Sequence, residues 1–133
     1  MILYADGGSR GNPGPAGAGA YLTDMHGNTL ASRYRFLGEA TNNVAEYSAL
    51  ILGLEEARRH DPERLIVRMD SQLVIRQLLG EYQVKQAHLR ELFDQAKQLL
   101  KSFSTVALEH IPRDENSEAD ALANRAMDEQ DDG

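Results

Sequence analysis

The hydrophobic pattern of the chain changes its period near residue 40, and this change limits the folds that are open to it. Before that point, apolar segments at 2–6, 16–23 and 29–37 are separated by turn-forming residues, which predicts three antiparallel strands. After it, segments with helical spacing alternate with two short strands. The pattern predicts an α/β domain with a five-stranded mixed sheet, three strands antiparallel and then two parallel, flanked by helices.

The later elements are bounded by residues that favour the starts and ends of helices. The predicted elements are, in order, a helix capped by Asn42 or Asn43, a strand at 65–67, a helix at 71–79, a helix at 86–101, a strand at 105–111 and a helix at 118–127. Residues 1–127 are therefore expected to form one domain. The acidic residues 128–133 are expected to form a frayed tail.

The composition restricts the chemistry and the surroundings of the protein. The chain has 133 residues and no cysteine, which excludes disulfides and thiolate ligands and favours a cytoplasmic location. No membrane partner is expected, and a monomer is the default expectation. The net charge of −7 disfavours a nucleic-acid partner, because phosphate binding relies on Lys and Arg. Bound cations would offset part of this charge if the acids formed a metal site.

Four acids from distant segments are the candidate metal ligands: Asp6, Glu46, Asp70 and Asp120. Each stands at or near the predicted end of a strand or helix. Asp6 and Asp70 lie at or near the carboxyl ends of the first and fourth predicted strands, so they would lie side by side if those strands were parallel neighbours. Carboxylate oxygens are the protein ligands that Mg²⁺ prefers.

Each of these acids also has an ordinary structural explanation. Asp6 could open the glycine-rich turn that follows it. Glu46 and Asp120 each stand three residues after a residue that could cap its helix. Asp70 precedes a helix start, where a negative charge is favourable. From spacing alone, both explanations remain open.

The residues around the acids resemble the type 1 ribonuclease H family over nearly the whole chain. Residues 4–9 with 11–15 are similar to that family's Asp-Gly-Ser turn and Gly-Asn-Pro-Gly element. Residues 41–46 are similar to its Thr-Asn-Asn-x-x-Glu helix start, and 70–72 to its Asp-Ser-Gln. Residues 116–120 are similar to its Asn-x-x-Ala-Asp. Four motifs in the right order make this resemblance highly specific.

The resemblance implies a ribonuclease H-like fold and an endoribonuclease that acts on RNA–DNA hybrids. The family hydrolyses the RNA strand by a two-metal-ion mechanism and leaves 5′-phosphate and 3′-hydroxyl ends. The implied cofactor is Mg²⁺, with Mn²⁺ as a substitute and two ions when substrate is bound. The resemblance makes Asp6 the bridge between the ions, with Asp120 on the nucleophile side and Glu46 and Asp70 on the leaving-group side.

The resemblance also implies a set of residues that contact the substrate. Recognition of 2′-hydroxyl groups in a shallow minor groove suits amide groups better than a basic patch. The implied substrate contacts are Gly8, Ser9, Asn12, Asn42, Gln72 and Asn116.

The chain departs from the family pattern before Asp120, where many relatives carry a mobile loop with a helper histidine. His110 stands at the helper's distance but belongs to the predicted fifth strand, so it is expected to be an ordinary strand-end residue. Arg113 is the preferred substitute, because a guanidinium can bind a phosphate through two hydrogen bonds.

A second departure is the missing basic protrusion of some relatives. Only Lys85, His88 and Arg90 are basic between Gly80 and Leu92, and the chain has no Trp. We expect a short form with neither this protrusion nor a hybrid-binding domain. This leaves room for altered specificity, including cleavage of double-stranded RNA. Two alternatives from other classes are a catalytically inactive nucleic-acid-binding module and a metal-dependent phosphatase.

Overall fold

The computed structural model describes all 133 residues. Its elements are the strands β1 (Ile2–Ser9), β2 (Gly14–Thr23), β3 (Thr29–Ala40), β4 (Arg64–Met69) and β5 (Thr105–His110), the helices α1 (Asn42–Arg59), α2 (Gln72–Leu78), α3 (Ala87–Leu100) and α4 (Ser117–Glu129), and a short 3-10 helix (Arg113–Glu115). None of the helices is both long and apolar enough to cross a membrane.

The five strands form one mixed sheet in the order β3-β2-β1-β4-β5. The pairs β1–β2 and β2–β3 are antiparallel, and β1–β4 and β4–β5 are parallel, which confirms the predicted fold class. The last pair between β1 and β4 joins Ala5 to Met69. Asp6 and Asp70 directly follow these paired residues, so they stand at the same edge of two neighbouring parallel strands.

Helices cover both faces of the central sheet. Helix α1 packs on one face of β1 and β2 and also against α3, with Tyr47, Leu50 and Leu54 fully buried. Helix α4 packs against β2, β1 and β3. Successive residues of a strand point to opposite faces, and Gly7 approaches α1 whereas Gly8 lies nearest to α4. The two helices therefore lie on opposite faces.

Glycines in β2 let α4 approach the sheet directly. A Cβ atom on Gly17 would lie 2.4 Å from the carbonyl oxygen of Ala123, and one on Gly19 would lie 2.3 Å from that of Ala119. No side chain can occupy these positions while the helix stays in place. The close packing holds the first turns of α4, including Asp120, against the sheet.

Helix α1 begins one residue earlier than the predicted caps require. Thr41, rather than Asn42 or Asn43, is the N-cap, and its side-chain oxygen accepts a hydrogen bond from the Val44 amide at 3.3 Å. A capping box with Thr41 would need its acid at residue 44, so Glu46 stands two residues too far along the helix to complete one. The explanation of Glu46 as a capping residue is therefore wrong, and its carboxylate is available for another role.

Asp6 and Asp120 do not act as local caps either. Strand β1 continues past its predicted end at Asp6, because Gly7, Gly8 and Ser9 pair with the facing residues of β2. Helix α4 is capped at Asn116 without any side-chain capping bond, so Ser117 and Asp120 form no capping box. Asp6 is thus a strand residue and Asp120 a residue of the first helical turns.

The acidic C-terminal segment is attached to the edge of the sheet, contrary to the expected frayed tail. Helix α4 continues to Glu129. The backbones of Gly133 and Tyr34 exchange two hydrogen bonds, of 2.8 and 2.7 Å, and the Phe36 amide donates to the carboxylate of Asp132 at 2.9 Å. Strand β3 is an edge strand with unpaired backbone groups, which explains why a short segment adds to it.

Candidate metal centre and substrate surface

Three of the predicted acids form a tight cluster at the sheet edge. Asp6 comes from β1, Glu46 from α1 and Asp70 from the end of β4, and one carboxylate oxygen of each lies within 4.8 Å of the others. Asp120, from α4, lines the same cavity of about 430 Å³. The structure thus brings together the four acids that the sequence singled out.

Asp6 is the most strongly perturbed of these acids. Its side chain is buried, with 7% of the residue exposed. Burial, followed by the negative charges of Asp70 and Glu46 and by the adjacent Asp120, raises its pKa from 3.8 to about 9. A carboxylate at this position is therefore costly unless a cation offsets the charge.

Glu46 is perturbed in the same direction. Burial and the negative charge of Asp70 raise its pKa from 4.5 to about 8, although Ser71 and the positive charge of Arg113 act in the opposite direction. Its Oε2 atom is buried and has no hydrogen-bond partner in the protein. Buried polar atoms normally have partners, so this oxygen is available to a ligand.

The donor set fits a hard divalent cation. All the candidate ligand atoms are carboxylate oxygens, without any nitrogen or sulfur donor, which suits Mg²⁺ or Mn²⁺. A cation would satisfy the unpartnered oxygen of Glu46 and would offset both the burial and the mutual repulsion that raise the pKa of Asp6 and Glu46. The residues present therefore match the metal centre that the sequence predicted.

The stability of the metal-free protein is expected to depend on pH through this cluster. Because the folded-state pKa values of Asp6 and Glu46 lie above those of the unfolded chain, the folded state binds more protons between about pH 4 and about pH 9. The free energy of unfolding therefore falls as the pH rises through that window. Asp6→Asn should raise the melting temperature at pH 8 in EDTA by about 5 °C, corresponding to ~2 kcal/mol.

Thermal melts of the wild type and Asp6→Asn at pH 5 and pH 8 test this expectation. The advantage of the variant should shrink at pH 5, and Mg²⁺ should raise the melting temperature of the wild type at pH 8. A variant that melts at or below the wild type at pH 8 in EDTA would contradict the repulsion on which the site depends.

Asn116 is hydrogen-bonded to one acid of the cluster, Asp70. It is only 1% exposed, and its Nδ2 atom donates hydrogen bonds to the carbonyl oxygen of Ala5 and to Oδ1 of Asp70, both at 3.0 Å. The predicted direct contact of Asn116 with the substrate does not fit this burial. Asn116 is a positioning residue that fixes the carboxylate of Asp70 beside β1.

Removal of this support should reduce activity without abolishing it. Asn116→Ala frees the Asp70 carboxylate to rotate. For the metal-dependent hybrid cleavage that the resemblance implies, we expect a loss of about 10- to 100-fold in rate, as for other residues that orient metal ligands. The concentration of Mg²⁺ required for half-maximal rate should rise at the same time. An unchanged Mg²⁺ requirement would show that Asn116 does not act through Asp70.

Two hydrogen bonds link Ser9, Asn42 and Asn12, and the first two of these residues line the cavity. The Ser9 amide donates to Oδ1 of Asn42 at 2.8 Å, and the Asn42 amide donates to Oδ1 of Asn12 at 3.0 Å. These hydrogen bonds connect the turn after β1 to the start of α1. Because the side-chain oxygens are the atoms used, the NH₂ groups of both asparagines remain available as donors.

The other residues that were predicted to contact the substrate or to assist catalysis lie in two different cavities. Gly8 and Arg113 line the cavity of the acids, and Arg113 is exposed, with Nη2 3.9 Å from Oδ1 of Asp120. Gln72 and His110 instead line a separate cavity of about 200 Å³ together with Arg76. The structure thus brings Arg113, rather than His110, to the metal centre.

Two residues with polar or charged side chains line the acid cavity but were not predicted from the sequence. Arg10 and Asn124 both line it. Asn124 stands four residues after Asp120 on α4, so helical periodicity could have found it. Arg10 follows Ser9 in the turn after β1, but nothing in its local sequence indicates the direction of its side chain.

The sheet order and the acid cluster define a ribonuclease H-like domain with a group of carboxylates that can hold a metal ion. The profile of a family described as reverse transcriptase-like matches residues 4–126. A bifunctional protein of Mycobacterium tuberculosis is 47% identical over 129 residues, which cover 96% of this chain and 35% of that protein. The chain thus spans about a third of that relative's length. The chain belongs to the type 1 ribonuclease H family.

Solved structures agree with this assignment. Ribonuclease H1 of the halophilic archaeon Halobacterium salinarum superposes with a TM-score of 0.93 at 44% identity, covering 96% of this chain and 97% of that one. LC11-RNase H1, solved in complex with an RNA/DNA hybrid, superposes with a TM-score of 0.92 at 45% identity, covering 97% of each chain.

Proposed function

We propose that this protein is a metal-dependent endoribonuclease that hydrolyses the RNA strand of RNA–DNA hybrids and leaves 5′-phosphate and 3′-hydroxyl ends. The observation that carries the proposal is the convergence of Asp6, Glu46 and Asp70 within 4.8 Å at the edge of two parallel strands. The similarity to LC11-RNase H1, which binds a hybrid in its solved structure, supports this choice of substrate.

The proposed cofactor is Mg²⁺, with Mn²⁺ as a substitute and two ions in the substrate complex. When bound, such ions stabilise the charge on the attacking and leaving oxygens of an in-line displacement at phosphorus. Asp6 would be a ligand of both ions, because it lies within 4.8 Å of Glu46 and Asp70 and shares the cavity with Asp120. Asp120 would serve the nucleophile side, and Glu46 and Asp70 the leaving-group side.

The surrounding residues hold these carboxylates and the substrate in place. Asn116 fixes the orientation of Asp70 through its 3.0 Å hydrogen bond. Arg113 is exposed at the cavity rim, where its guanidinium can bind a substrate phosphate through two hydrogen bonds. It is always protonated, so it can bind charge but cannot accept a proton.

Recognition of the hybrid is proposed to use polar groups along the turn after β1 and the start of α1. The side-chain NH₂ groups of Asn12 and Asn42 can donate to 2′-hydroxyl or base-edge oxygens in the minor groove. Gly8 and Ser9 border the acids. Gln72 is the first residue of α2 and lines a separate cavity, so it would contact a more distant part of the duplex.

Further expectations from the sequence stay predictions. These are a monomeric state, a cytoplasmic location and activity on double-stranded RNA. Each is open to a direct assay, and none is needed for the proposed reaction.

A strand-specific cleavage assay tests the proposed function. A hybrid labelled on either strand is incubated with Mg²⁺, Mn²⁺ or EDTA, beside double-stranded RNA, double-stranded DNA and a small phosphate ester. We expect cleavage of the RNA strand only, and only with a divalent cation. Binding without cleavage would favour the inactive nucleic-acid-binding module. Hydrolysis of the small ester alone would favour the phosphatase.

A further inference from the structure

We propose that Arg10 binds a phosphate of the substrate beside the acid centre, and that Asp128 competes with the substrate for this side chain. The proposal deepens the proposed function and rests on it. It assigns a binding residue that neither the motifs nor the cluster of acids indicates, and it gives the acidic C-terminal segment a role in substrate binding.

Arg10 lines the cavity of the acids, and a hydrogen bond holds its backbone in place. It stands in the turn after β1, four residues after Asp6, and its amide donates to the carbonyl oxygen of Pro15 at 2.9 Å. Arg10 and Arg113 are the only cationic residues that line the cavity. In a chain with a net charge of −7, these two guanidinium groups are the available phosphate ligands next to the metal centre.

In the substrate-free structure, two side chains of helix α4 bind the guanidinium group of Arg10. Its Nη2 atom lies 2.7 Å from Oδ1 of Asp128 and donates to Oδ1 of Asn124 at 3.3 Å. The side chains of Arg10 and Asp128 are 47% and 64% exposed. Ion pairs as exposed as this contribute little to stability, so a substrate phosphate can displace the carboxylate. A guanidinium binds both groups with the same geometry.

The partners of Arg10 lie on the same face of α4 as the metal ligand Asp120. Asp120, Asn124 and Asp128 are spaced by four residues, and Nδ2 of Asn124 donates to the carbonyl oxygen of Asp120 at 2.9 Å. Asp128 is about 12 Å along the helix axis from Asp120. Arg10 would therefore bind a phosphate neighbouring the cleaved one, and should affect substrate affinity more than the chemical step.

Steady-state kinetics on a hybrid with Mg²⁺ at several salt concentrations test the proposal. Arg10→Ala should raise KM about tenfold and change kcat by less than about twofold, as expected when a charge-assisted contact is lost. The slope of log(1/KM) against log salt should become shallower by about one. Arg10→Lys should restore part of the affinity. Asp128→Asn should lower KM about two- to fivefold, because its competition is removed.

Arg125 and Glu129 provide the matched controls. They form a similarly exposed ion pair of 2.9 Å on α4, but neither lines the cavity. Arg125→Ala and Glu129→Gln should leave KM within about twofold of the wild type, on the scale expected for an exposed pair. The double variant of Arg10→Ala with Asp128→Asn should have the KM of Arg10→Ala alone, because Asp128 acts only through Arg10.

The outcomes separate this inference from the proposed function. If the wild type fails to cleave hybrids, the proposed function fails. If it cleaves, but Arg10→Ala matches Arg125→Ala in KM and salt slope, the assignment of Arg10 is overturned. If Asp128→Asn matches Glu129→Gln, or lowers KM equally when Arg10 is absent, the competition is overturned. Thermal melts of each variant verify that the fold is intact.

Discussion

Asp6→Asn is expected to lower the rate of hybrid cleavage by at least about a thousandfold, which corresponds to ~4 kcal/mol in the activation free energy. In the proposed mechanism the carboxylate of Asp6 serves both cation positions, because it lies beside Glu46 and Asp70 and shares the cavity with Asp120. An asparagine keeps the size of the side chain but removes the charge and one of the ligand oxygens. Initial rates with excess Mg²⁺ measure the loss.

This variant distinguishes a catalytic role from a structural one. Loss of activity should accompany a gain in the stability of the metal-free protein, because a neutral amide replaces an acid whose ionised form is disfavoured by burial and by the neighbouring charges. Asp94→Asn is the matched control, since Asp94 is an exposed acid on α3 paired with Arg90 at 3.4 Å. Its rate should stay within about twofold of the wild type. Asp6→Asn with more than a tenth of wild-type activity would contradict the role of Asp6.

Gly7→Ala is expected to destabilise the protein by more than about 3 kcal/mol, which corresponds to about 10 °C or more in the melting temperature. A Cβ atom on Gly7 would lie 2.1 Å from the carbonyl oxygen of Ala45, in the backbone of α1. A backbone group of a packed helix cannot rotate away, so α1 must move as a unit. Because Glu46 follows Ala45, the same movement should disturb the acid cluster and lower activity.

The neighbouring glycine supplies the control for this effect. A Cβ atom on Gly8 would have only the methyl group of Met127 nearby, at 3.9 Å, which is an ordinary contact. Gly8→Ala should therefore change the melting temperature by only about 2 °C. Similar losses of stability in the two variants would show that strand propensity, rather than the close approach of α1, governs this segment.

The proximity of Asp6 and Asp70 was predictable from the sequence because it follows from strand pairing. Asp6 and Asp70 end two hydrophobic strand segments, and parallel pairing of those strands places them side by side. The boundaries were harder to predict. Gly7 and Gly8 favour a turn locally, yet both extend β1 by pairing with β2. At Gly7 the close approach of α1 also requires a residue without a side chain.

The orientation of individual side chains could not be predicted from spacing. Asn116 belongs to a recognisable motif, but its burial against Ala5 and Asp70 depends on how α4 meets the sheet. The attachment of Gly133 to Tyr34 depends on the free edge of β3, a property of the assembled sheet. Arg10 acquires its partners only when the end of α4 lies beside the turn after β1.

The most direct measurement is mass spectrometry of the RNA fragments released from a hybrid in Mg²⁺. Attack of water in line with the leaving 3′ oxygen, organised by the carboxylates of Asp6 and its partners, predicts fragments with 5′-phosphate and 3′-hydroxyl ends and none in EDTA. Fragments that end in a 2′,3′-cyclic phosphate, or identical cleavage in EDTA, would contradict the metal centre as the catalytic site.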